Sequence, residues 1–120
     1  MRTYNIILSD IPNIECDAKF GEYVNKNKLD FWRYTSLNWI LLTPDNISTN
    51  MLIGEVVNAY GAIFFCVLEI QINDAGGILP GNEEMVKEIE KTKWTPFQWF
   101  NHIKDPKFVP RWIKESSKKE

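Results

Sequence analysis

The chain has 120 residues, 44% of them apolar and 25% charged, and a formal net charge of −2. That length suits one domain, able to bury roughly two thirds of its unfolded surface without disulfide or metal staples. The charge balance lacks the basic excess of a nucleic-acid binder, two cysteines are too few for a disulfide scaffold, and no apolar run reaches the roughly 20 residues of a membrane span.

In chain order, residues 3–10, "TYNIILSD", predict a strand. Ile6 and Leu8 face one side and Ile7 the other, which suits a central strand. Asn13 is placed to cap a helix over about 14–27, with Glu15 and Asp17 in the first turn, where acids favour the helix dipole. Cys16, Phe20, Tyr23 and Val24 recur at helical spacing. The stretch 31–43, "FWRYTSLNWILLT", is too rich in β-branched and aromatic residues for a helix and too long for one ordinary strand. It predicts two strands, 31–35 and 38–43, turning at Thr35-Ser36-Leu37; a single bent strand is the alternative. Ser48 then caps a helix whose stripe is Leu52, Val56 and Tyr60, with Ile47 and Leu52 placed as a hydrophobic staple. Gly61 fits the position just past that helix. Residues 62–72, "AIFFCVLEIQI", predict the clearest strand. Phe64, Cys66, Leu68 and Ile70 face one way, and Ile63, Phe65 and Val67 the other. After a loop over 73–83, helices follow at about 82–92 and from Thr95-Pro96 onward, the latter carrying Phe97, Phe100 and Ile103.

The predicted order is β-α-β-β-α-β followed by helices. Two right-handed crossovers joined by a hairpin give an α+β, ferredoxin-like plait, a four-stranded antiparallel sheet of order 4-1-3-2 with two helices on one face. Residues 1–103 form this domain with its C-terminal helices. Residues 104–120 form a basic, Pro-containing tail, with six basic against three acidic residues, whose simplest reading is a solvated terminus. The helices cover one sheet face only, so the row Ile63, Phe65 and Val67 on the other face calls for a second subunit or the C-terminal helices. Arg2 is followed by only about five strand-like residues, unlike a signal peptide. With Cys16 and Cys66 read as reduced, packed thiols, the expected location is the cytoplasm.

The segments "YNIILSD" ending in Asp10, "FWRYTSLNWILLT" and "IFFCVLEI" resemble the SinR-like small bacterial proteins, relatives of the small CRISPR-associated ferredoxin-fold endonuclease subunit. The likeness covers roughly residues 3–72. It implies a homodimer. For the CRISPR relatives it implies cleavage of nucleic acid with one divalent metal held between paired strand-1 aspartates, of which only Asp10 carries over here. Those relatives are often basic, whereas this chain is acidic.

Asp10 is accordingly the candidate catalytic and metal-ligating residue. Together with Ser9, Glu15 and Asp17 it gathers hard oxygen donors of the kind that hold Mg²⁺ or Mn²⁺ and activate water. The plainer reading has Asp10 capping a turn while Glu15 and Asp17 complement the helix dipole. His102 is the only histidine, with no partner in the pattern, and a four-ligand zinc site would need carboxylates. Sheet aromatics such as Trp32, Tyr34, Trp39 and Phe65 can stack bases, but only Arg33 is interleaved with them, so core and dimer interface is the better reading. Two functions follow: a dimeric metal-dependent phosphodiesterase, or a non-catalytic protein-binding module in conflict between a host and mobile DNA.

Overall fold

The computed structural model describes residues 1–61, 63–77, 87 and 97–117, the last three of these by backbone alone. It divides into two units, Met1–Gln71 with Val109–Glu120, and Ile72–Phe108.

The first unit is a mixed α+β structure. Its elements are β1 (Arg2–Leu8), α1 (Ile14–Lys26), β2 (Asp30–Trp32), β3 (Asn38–Thr43), α2 (Thr49–Tyr60), β4 (Phe65–Ile70) and a C-terminal helix, Arg111–Ser117. The four strands form one antiparallel sheet in the order β2-β3-β1-β4. β1 lies inside the sheet, with Ile6 opposite both Trp39 and Val67. Both helices start where the capping residues require. The Asn13 side chain accepts the Cys16 N–H at 2.8 Å, and the Ser48 hydroxyl accepts the Met51 N–H at 3.3 Å. Gly61 ends α2 at a φ of 76°, a left-handed conformation that favours glycine.

Side-chain alternation on β1 decides where the core sits. Tyr4, Ile6 and Leu8 point to one face and are buried with Trp39, Leu41, Phe20, Val24, Leu52 and Val56. Ile47 and Leu52 both lie in this core, as the staple requires. Tyr4 keeps its hydroxyl satisfied by donating to the Ile47 carbonyl at 2.7 Å.

Three sequence expectations change. First, the hairpin strand ends at Trp32 rather than residue 35, because Arg33 donates to the Thr35 and Ser36 carbonyls and folds 33–37 into a loop. The last strand likewise runs only from Phe65 to Ile70, the stretch that β1 pairs from Leu8 back to Thr3. Second, the apolar row on the uncovered face is not Ile63, Phe65 and Val67. Pairing of Leu8 with Phe65 and Ile6 with Val67 puts that row against the core. The opposite row, Cys66 and Leu68, is the exposed one, beside Ile7. Both rows are apolar, so alternation alone gives no choice between faces; register makes it. On the same face Trp32, Ile40 and Leu42 are buried.

Third, residues 109–114 are not a solvated terminus. Pro110 is buried, and Trp112 packs against the core cluster. The Arg111 N–H donates to the Asp30 carboxylate at 2.9 Å, and its guanidinium donates to Asn25 Oδ1 at 3.2 Å.

In the second unit, α3 (Gln98–Lys104) carries the buried Phe100, with Trp99 edge-on to it at 5.3 Å. A Cβ on Gly77 would meet the tip of the Phe97 ring at 2.8 Å, so a larger residue there would have to displace that ring. The expected helix at 82–92, the Thr95 cap and Pro96 lie outside the described residues. Among the described residues no helix is long and apolar enough to cross a membrane.

Burial separates the two kinds of leucine in the sheet. Leu41 is fully buried and Leu68 is 43% exposed. Leu41→Ala is expected to cost about 3 kcal/mol, a lost core side chain plus its cavity. Leu68→Ser is expected to cost the single chain no more than about 0.5 kcal/mol, measured at a concentration too low for association. Urea unfolding of both variants checks the contrast.

Candidate functional site

The polar centre of the first unit is built where the 33–37 loop meets the two helices. Trp39 comes from β3, Tyr60 from the last turn of α2, Asp17 from the first turn of α1 and Arg33 from the loop just past β2. The Trp39 indole N–H donates to the Tyr60 hydroxyl at 2.9 Å. Tyr60 in turn donates to Asp17 Oδ1 at 2.5 Å. Arg33 Nη2 donates to the same oxygen at 3.0 Å, and the guanidinium lies over the Trp39 ring at 4.3 Å. The remaining Arg33 donors hold the Thr35 and Ser36 carbonyls, each at 2.9 Å. The Thr35 hydroxyl donates to Asn38 Oδ1, while the Asn38 amide donates to Asn5.

Burial and the Asp17 hydrogen bond push the Tyr60 hydroxyl up to about 12. Tyr60 is therefore a donor at every ordinary pH, and Asp17 accepts from two donors at once. A cavity of about 200 Å³ opens beside the network, lined by Asp17, Arg33, Tyr34, Thr35 and Ser36. Its charged groups are spent on one another, which makes the arrangement a clamp on the loop.

Asp10 lies elsewhere. It follows the end of β1 and is exposed, and the Ser9 hydroxyl donates to it at 3.5 Å. Glu15 is also exposed. Asp17, expected beside them, turns inward to Arg33 and Tyr60 instead. Among the described residues no group of three or more His, Cys, Asp and Glu is placed to hold a metal ion.

His102 is exposed on α3, with its ring edge-on to Phe108 at 5.0 Å. Cys16 and Cys66 are free thiols, Cys16 half-buried and Cys66 exposed. A cleft of about 570 Å³ separates α1 from α2 and is lined by Lys19, Lys26, Glu22 and Glu55 around Tyr23. Its two cations and two anions balance. Burial and the nearby Glu55 raise the Tyr23 hydroxyl above its ordinary range.

The clamp was only partly visible in the sequence. Arg33 stands out as the one cation of the aromatic hairpin, but its partners come from 16 residues upstream and, through Asp17, from Tyr60 a further 43 residues on. Compared with known proteins, the chain matches no family model, no curated protein and no solved structure.

Two measurements check the clamp. Arg33→Ala frees Asp17 and two loop carbonyls, with an expected loss of about 2 kcal/mol in urea unfolding. Tyr60 is neutral in the folded chain until about pH 12 but ionises near 10.0 when unfolded. Its contribution is full below pH 10 and is lost as pH rises to about 12. Tyr60→Phe is expected to flatten the fall in stability across that window.

Proposed function

We propose that this chain is a homodimeric ferredoxin-like plait that works in the cytoplasm as a non-catalytic protein-binding module. The plait is supported by the element order β-α-β-β-α-β and by the strand order, which reads 4-1-3-2 from the β4 edge. The observation that carries the binding role is the second sheet face. There Ile7 and Leu68 are 40% and 43% exposed beside the exposed Cys66, an apolar row that gains by association.

The acids at the start of α1 point the same way. Asp17 is committed to Arg33 and Tyr60, which removes one of the three oxygen donors grouped with Asp10. The metal-dependent phosphodiesterase implied by the resemblance is the competing outcome, with Asp10 as its ligand.

The two are separated by incubating the chain with single- and double-stranded DNA and RNA in Mg²⁺ or Mn²⁺. No cleavage is expected from wild type or from Asp10→Ala. Cleavage by wild type that Asp10→Ala abolishes would overturn the non-catalytic reading. Light scattering is expected to give twice the 14.1 kDa chain mass, with Leu68→Glu shifting the population toward the single chain. A wild-type monomer at high micromolar concentration would remove the dimer.

A further inference from the structure

Four segments of the first unit meet at one end of its sheet. The Leu8 N–H donates to the Leu37 carbonyl at 2.7 Å, and the Ser9 N–H donates to the Phe64 carbonyl at 3.0 Å. These bonds draw the 33–37 loop and the approach to β4 to the end of β1, from which residues 9–13 lead into α1. The apolar residues there are turned outward. Ile11 is 75% exposed, Ile14 87%, Leu37 43% and Phe64 88%. Scattered single apolar residues on a surface are ordinary. Here four of them lie on the segments that meet at this sheet end, together with two exposed acids, Asp10 and Glu15.

Acids outnumber cations at this end of α1, where Lys19, one helical turn beyond Glu15, stands against Asp10 and Glu15. No lysine or arginine occurs from residue 3 to residue 18, nor from residue 34 to residue 86. The cation nearest in the hairpin, Arg33, is turned inward onto Asp17 and the loop carbonyls, with 12% of its side chain exposed. The Leu37 end is held firm by that clamp, so a ligand meets a loop already shaped.

We infer that this sheet end is the docking surface for an amphipathic polypeptide segment that carries an apolar face flanked by lysine or arginine. This rests on the protein-binding reading above and adds to the sheet face named there a second surface with its own partner. Apolar side chains of the segment cover Phe64, Ile11 and Leu37, and its cations meet Asp10 and Glu15. A phosphate backbone is repelled by the same two acids, and a second copy brings the same acids, so both fit less well than a basic peptide.

The test is fluorescence polarisation of the full chain with a labelled amphipathic Leu/Lys helical peptide and its Leu/Glu counterpart. The expected result is at least about tenfold preference for the Leu/Lys peptide, a gap that added salt narrows. Phe64→Ser and Ile11→Ser each weaken that binding about tenfold, with circular dichroism unchanged. Ile53→Ser, on the exposed side of α2, leaves it as in wild type. Equal affinity for the two peptides, binding untouched by Phe64→Ser and Ile11→Ser, or no binding of either would overturn the surface. A nuclease-negative dimer that ignores both peptides rejects this surface while leaving the non-catalytic reading in place.

Discussion

β1 is the strand on which the unit depends. It has a paired neighbour on each side, β3 and β4, and its register with both sets which residues enter the core. A slip of one residue would bring Thr3, Asn5 and Ile7 inward in place of Tyr4, Ile6 and Leu8. Two polar groups would then need partners in an apolar interior. The observed register leaves Asn5 at the second face, where it accepts from Asn38.

Polar groups inside the unit follow the same economy. Among the described residues no buried side-chain nitrogen or oxygen lacks a hydrogen-bond partner. The chain Trp39 to Tyr60 to Asp17, with Arg33 closing it, satisfies an indole, a phenol, a carboxylate and a guanidinium together. Such networks fix one arrangement, because a half-made version leaves charge uncompensated. Arg33 adds a second constraint, since the same guanidinium shapes the 33–37 loop. That is why an aromatic segment with no glycine in its turn still reverses direction.

Much of the element order was legible in the sequence. Asn13 and Ser48 marked two helix starts, Gly61 marked a helix end, and the aromatic stretch 31–43 separated into two strands. These features act locally, through caps, left-handed backbone and side-chain alternation, so one sequence window contains them. What failed was long-range. In β4 the rows Phe65/Val67 and Cys66/Leu68 are equally apolar, and only pairing with Leu8 and Ile6 shows which one is covered. Asp17 looked like a neighbour of Asp10 because both precede or open α1, yet its partner is decided by the hairpin folding back beside the helix. The segment 109–114 looked like a polar end because its charges hide the contributions of Pro110 and Trp112.

The bond from Arg111 to Asp30 links positions 81 residues apart. Contacts of such separation form late, because the loop they close must first be brought together. During synthesis at roughly 5–20 residues per second, the ribosome needs about 4–16 seconds to travel from the first partner to the second. For that interval a nascent chain can assemble its sheet and helices before the Arg111 N–H reaches the carboxylate on β2. The last part of the first unit to be made is thus the part that fastens one of its two edge strands.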